Sequence, residues 1–169
     1  MPTMTQLLVG MAEIQVSKGP ALFTCLGLGS CIGLAALDPV TGVCGMVHVI
    51  LPESFPDKPV DKPGKFADTG VKELLSLMKS LGADMSRLRV CYAGGAQVFK
   101  FGNNADGRLD VGARNAVAVA ARVKELGLRC IATDTGGSSG RTVIFDGATG
   151  EVRVRTVAGG EKALCSLRK

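Results

Sequence analysis

Glycine is the feature that most constrains this chain. It supplies 23 of 169 residues, nearly twice the usual share of about 7 %, and it divides the apolar sequence into short runs. Short runs suit strands better than helices. Glycine at this density also implies tight turns and places where backbone comes close to something else. Residues 9–16 read as a first strand carrying Val9, Met11, Ile14 and Val16, and residues 22–28 as a second that ends in glycine. Residues 31–37 and 43–51 form two further runs around Asp38-Pro39-Val40-Thr41-Gly42, which has the composition of a hairpin loop. Four prolines (Pro52, Pro56, Pro59 and Pro63) forbid a ladder across residues 52–63, so that segment is expected as a surface loop.

Two segments carry helical spacing instead. Ala67, Val71, Leu74, Leu75, Met78 and Leu81 recur on one face, with Gly82 at the stop position. A second helix runs from about Asn115, with Ala116, Val119, Ala120, Val123 and Leu126 as its stripe and Gly127 as its end. Residues 89–92 read as a strand ending at Gly94-Gly95, and residues 131–133 as a short buried strand. Residues 141–145 and 151–157 alternate around Asp146-Gly147-Ala148-Thr149-Gly150 as a second hairpin. About eight strands, mostly in hairpins, and two helices predict an α+β fold: a single-domain sandwich over residues 1–169, of mixed or antiparallel β-sheet with two main helices packed on one face.

Charge narrows the partners. A net charge of +5 and a pI near 9.0 favour acidic partners. Nucleic acid is a poor fit, because the chain has no Trp, one Tyr and no interleaving of basic with aromatic residues. The mild cluster of Arg153, Arg155, Lys162, Arg168 and Lys169 reads as a solvated face or as a surface for a negatively charged protein. No apolar run reaches the roughly 18 residues of a membrane span. The N-terminus has no basic leader and carries Glu13 where a signal peptide would be apolar, so no membrane insertion and a cytoplasmic location are expected. In a reducing compartment the six cysteines are not expected to form a disulfide framework. One histidine and no C-x-x-C pair make a metal cluster improbable, and neither a metal nor an organic cofactor is expected. Cys44, Cys91, Cys130 and Cys165 sit among apolar neighbours and read as small core residues.

Cys31 is different, because it follows LGLGS, and His48 is the only histidine. Glycines before a nucleophile clear space for an incoming carbonyl and free backbone N–H groups for a developing oxyanion. A hairpin loop centred between Pro39 and Val40 sets Cys31 opposite His48 on one side of the sheet. There an imidazolium would lower the thiol pKa and populate the thiolate. A slip of one residue would separate the two across the sheet. The residues alone leave a half-buried structural histidine and a merely small cysteine equally open. The stretch also approaches a dinucleotide fingerprint, but the third glycine position falls on Ile32 and a strand follows in place of a helix.

LGLGSCIGLAALDP, GMVHVILPES, DKPGKFADTGVKEL, AGGAQVF, GARN, DTGG and AGGE occur in that order over nearly the whole chain, and the series resembles the CheD family of chemoreceptor glutamine deamidases. The resemblance implies hydrolysis of selected glutamine side chains in the cytoplasmic domain of chemoreceptors, with Cys31 as nucleophile and His48 as general base. It also implies the CheC phosphatase as a second partner, and the logic of cysteine hydrolases then places the backbone N–H groups around Gly29, Ser30 and Cys31 at the oxyanion. The family's histidine-orienting threonine falls on Cys25, with Thr24 one residue earlier. Cys25, Thr24 or a backbone carbonyl is left for that role. The loop at residues 52–63 and Asp134, Thr135, Gly136 and Gly137 border the expected pocket, as contacts or as plain turns. The alternatives are a non-catalytic module that binds chemoreceptors and CheC, and a thiol enzyme of other specificity.

Overall fold

The computed structural model describes residues 4–97, 110–157 and 159–168. Val98 and Phe99 of the AGGAQVF motif, Ala158 of AGGE and Lys169 of the basic cluster lie outside the described residues.

Ten strands and two α-helices make up the described fold: β1 (Thr5–Leu8), β2 (Ile14–Ser17), β3 (Ala21–Leu28), β4 (Ile32–Leu37), β5 (Cys44–Val49), α1 (Ala67–Ser80), β6 (Arg89–Gly94), α2 (Val111–Glu125), β7 (Arg129–Thr135), β8 (Arg141–Asp146), β9 (Glu151–Thr156) and β10 (Gly160–Ser166). They form two five-stranded sheets, β1-β3-β8-β9-β10 and β2-β5-β4-β6-β7. Both are mixed, since β1 runs parallel to β3 and β6 parallel to β7 while the other pairs are antiparallel. The α+β sandwich expected from the sequence is the architecture observed.

Two apolar layers hold it together. Between the sheets lie Phe23, Cys25, Leu28, Leu37, Met46, Phe145 and their neighbours, with Phe23 and Phe145 stacked at 5.3 Å between ring centroids. On the other face of the second sheet, Leu34, Val47, Val49 and Val90 meet Val71, Leu74 and Met78 of α1 and Val119 and Val123 of α2. Both faces of β4 and β5 are therefore covered, which is why all their residues are buried and their sequence shows little alternation. Both helices stop where glycine takes up the left-handed conformation, at Gly82 (φ 106°) and Gly127 (φ 66°).

Of the first strand expected over residues 9–16, only residues 14–16 are strand, as part of β2; residues 9–13 connect it to β1, which lies in the other sheet. In that connection a tight turn brings the Glu13 N–H to the Gly10 carbonyl at 3.0 Å, and Ala12 sits at φ 66°. β10, absent from the sequence reading, pairs along β9 through a bulge between Ala163 and Cys165. Cys44 and Cys91 are buried as expected; Cys130 is exposed, because β7 is a sheet edge with only intermediate or exposed positions.

The β4–β5 hairpin closes through Asp38, whose N–H donates to the Val43 carbonyl at 2.9 Å and whose carbonyl accepts from Gly42 at 2.8 Å. The fully buried Asp38 carboxylate accepts from Val40, Thr41 and Asp84 N–H groups and from the Arg87 guanidinium at 2.9 and 3.1 Å. Burial alone would raise its pKa; the Arg87 bond and the three N–H groups outweigh that and hold it well below the usual carboxylate range. Asp38→Ala strips four donors of their acceptor and is expected to cost about 3 kcal/mol in urea unfolding. A change under about 0.5 kcal/mol, the size of an ordinary surface substitution, would contradict this.

Candidate active site

The hairpin register decides how Cys31 and His48 meet. Gly33 pairs with His48 and Ile32 with Val49, so the loop is centred between Val40 and Thr41, and the expected Cys31–His48 pairing is corrected by two residues. The cause is the turn itself, in which Gly42 takes φ 81° and the Asp38–Val43 bond closes a longer loop. A shift of two keeps side chains on the same face. His48 points into the layer between the sheets from β5, bonded to Val9. Cys31, one residue before β4, packs against the same layer, and the place directly opposite His48 is taken by Gly33, a residue without a side chain. A Cβ at Gly33 would come within 3.1–3.3 Å of Met46 Cε, Leu28 Cδ1 and Cys25 Sγ.

His48 is 3 % exposed. Its Nδ1 lies 3.0 Å from the Val9 carbonyl oxygen. A carbonyl can only accept, so Nδ1 carries the hydrogen and the neutral ring keeps its lone pair on Nε2. That Nε2 is buried and has no hydrogen-bond partner among the described residues. Burial lowers the His48 pKa below its ordinary 6.5, against the opposing pull of the Val9 bond and the Glu13 charge. Burial also raises Cys31 above its ordinary 9.0. The thiolate–imidazolium pair expected from the sequence is thus replaced, at rest, by a neutral thiol beside a neutral base.

Thr24, Cys25 and the backbone carbonyl near them are placed differently around His48. On β3, Ala21, Phe23 and Cys25 are buried inward, while Leu22 and Thr24 alternate to the partly exposed face. The Thr24 side chain is thereby turned away from His48. Thr24 contributes only its carbonyl, which accepts from the Val9 N–H at 2.8 Å. Cys25 faces inward and its Sγ lies 3.5 Å from the same Val9 oxygen that holds His48. Burial, with the neighbouring Cys31 adding to it, pushes the Cys25 thiol up to about 12, so it stays protonated.

The turn before Cys31 is held by its carbonyls. Gly29 O accepts from Ala96 N–H at 2.8 Å, Ser30 O from Asn115 Nδ2 at 2.9 Å, and Cys31 O from Gly95 N–H at 2.9 Å. The Gly29, Ser30 and Cys31 N–H groups bond to no acceptor among the described residues. Gly94 must lack a side chain, since at φ 122° a Cβ would collide with the Cys31 carbonyl oxygen. The Asp134–Gly137 motif serves this frame: Gly136 N–H donates to Gly94 O at 3.1 Å, and Gln97 N–H to Gly137 O at 2.9 Å. The buried Arg141 guanidinium donates to the Gly94, Asp134 and Gly136 carbonyls. The loop at residues 52–63 leaves and returns beside the site, with Ile50 and Leu51 N–H both donating to Lys65 O at 2.9 Å.

From the sequence, Val9, Asn115 and Arg141 have no place in the site. Asn115 carried a signal, standing four residues before Val119 and eight before Val123 on the buried stripe of α2. Arg141 carried another, at an inward position with Val143 and Phe145. Val9 acts through a backbone oxygen and leaves no trace in side-chain identity.

The family model for CheD, described as CheD chemotactic sensory transduction, matches residues 50–156. A "Probable chemoreceptor glutamine deamidase CheD" of Desulfitobacterium hafniense is 44 % identical over 156 residues, 92 % of this chain and 96 % of the relative. The "Chemoreceptor glutamine deamidase CheD" of Thermotoga maritima is 42 % identical over 154 residues, 91 % of this chain and 94 % of the relative. Among the described residues, no helix is long and apolar enough to cross a membrane.

Proposed function

The chain belongs to the CheD family, and from that premise we propose that it hydrolyses the side-chain amides of selected chemoreceptor glutamines to glutamate and ammonia, with Cys31 as nucleophile and His48 as general base and acid. The observation that carries the residue assignment is the His48 Nε2, buried and without a hydrogen-bond partner among the described residues, on the face of the sheet against which Cys31 packs.

The Cys31 sulfur attacks the amide carbon while its proton passes to Nε2, and the carbonyl oxygen becomes an oxyanion. The N–H groups of Gly29, Ser30 and Cys31 are the donors available to it. Collapse breaks the C–N bond, and the imidazolium gives its proton to the departing nitrogen, which leaves as ammonia. His48 then takes a proton from water, the hydroxide attacks the thioester, and the C–S bond breaks to return the thiol and release glutamate. Val9 O holds Nδ1–H throughout, so Nε2 keeps its direction. The neutral resting pair suits this sequence, because the proton moves only as the C–S bond forms. CheC, implied by family resemblance, is assigned the same face as the receptor.

Ammonia release from a purified receptor cytoplasmic fragment tests the substrate class. The expected result is release from the fragment and none from free glutamine at equal concentration; no release from the fragment contradicts the reading.

Val9 carries the orienting bond, and Cys25 adds a weak S–H contact to the same oxygen. Cys25→Ala is therefore expected to lower kcat by no more than about fivefold, the value of one ordinary hydrogen bond. A hundredfold loss would assign the third role to Cys25 itself.

A further inference from the structure

Beyond Ile32 and Val49 the hairpin ladder ends and the two strands diverge. On one side the chain turns back through Cys31, Ser30 and Gly29; on the other, Ile50 and Leu51 turn outward to Lys65. Cys31 sits in this fork. The fully buried Asn115 reaches across it from α2, and its single Nδ2 donates both hydrogens, to Ser30 O at 2.9 Å and to Ile50 O at 2.8 Å. Both partners are carbonyls, which fixes the amide orientation: only the NH2 end can face them. The Oδ1 is left buried with no partner among the described residues. An unpaired buried acceptor is costly, and this fold keeps one in order to hold that bridge.

The two bridged residues are the neighbour of the nucleophile and the residue two beyond the base. We propose that Asn115 is a positioning residue for the deamidation: by clamping Ser30 O to Ile50 O it fixes the Cys31 sulfur against His48 Nε2. The inference rests on the proposed Cys31–His48 chemistry and adds to it a residue that touches neither substrate nor proton. A neutral group with two hydrogens on one atom satisfies both oxygens at once. A carboxylate of the same shape would set an acceptor against two acceptors and pry the fork open. Misplacement of about 1 Å in a reacting pair is enough to cost on the order of 100-fold in rate.

The test uses Asn115→Ala, with Asn115→Ser, a small neutral side chain that can reach at most one of the two oxygens, read in its place should the first not fold. Rates are taken per folded molecule. Two readouts are measured: kcat and KM on receptor fragment, and the pH profile of Cys31 alkylation by iodoacetamide, resolved by peptide with exposed Cys130 as internal reference. The expected result is a kcat lower by about 100-fold with KM within about threefold, and a Cys31 profile that loses the inflection set by His48 and coincides with that of His48→Gln. Wild-type kcat and a wild-type profile, with only the melting temperature lowered, would reduce Asn115 to a structural role and overturn the proposal. The alkylation comparison needs no receptor. A wild-type protein that releases no ammonia therefore overturns the reading of function while the profile still judges Asn115.

Discussion

Cys31→Ala is expected to lose deamidation by about 10⁴-fold or more while folding as the wild type does. The loss is large because nothing else at the site can replace the sulfur. Cys25 is buried, stays protonated and lies against the Val9 oxygen, and the other four cysteines lie on β5, β6, β7 and β10. The fold survives because Cys31 is half-buried at the rim of the inter-sheet layer, and removal of one sulfur there costs about 1 kcal/mol or less. Circular dichroism and a melting curve beside the ammonia assay check both halves. Residual turnover within tenfold of wild type would remove Cys31 from the chemistry.

His48→Gln is expected to lower kcat by about 10²–10⁴-fold, the range of general acid–base catalysis. Glutamine keeps a donor for Val9 O but has no titrating lone pair, so the packing is held while the base is lost. The pH dependence follows from burial. His48 in the folded protein titrates below 6.5, so its base form persists through neutral pH and the acid limb of the rate profile lies below 6.5. The same shift ties stability to pH. Between the folded and unfolded pKa values the unfolded chain binds the extra proton, so wild-type stability falls as pH drops below 6.5 and levels off below the folded value. In His48→Gln that component of the stability loss is expected to vanish in urea titrations at stepped pH. An acid limb above 6.5, or an unchanged stability profile in the variant, would contradict a buried neutral imidazole.

Much of the fold was legible because its punctuation is local. Gly82 and Gly127 end the helices, and Asp146–Gly150 turns the second hairpin, where the sequence places them. What escaped depends on contacts between distant segments. The turn at Gly10–Glu13 breaks the first apolar run because His48 on β5 takes that segment's backbone, with Ala12 N–H donating to His48 O at 2.9 Å and His48 N–H to Glu13 O at 3.1 Å. No periodicity within residues 9–16 encodes that. The hairpin register hung on Gly42 at φ 81°, a conformation glycine permits but does not announce. Within the candidate site, the common face of Cys31 and His48 was legible in the alternation of the two strands, although their register was not. Nor was the protonation state of the site, because burial belongs to the assembled sandwich and reverses the shift that spacing alone suggested for the thiol.

Site-resolved mass spectrometry of a receptor cytoplasmic fragment, after exposure to wild-type protein and to Cys31→Ala in parallel, addresses the nucleophile and the substrate together. Conversion of particular glutamines to glutamate by the wild type and none by the variant is the predicted result. Equal conversion by both proteins would contradict it.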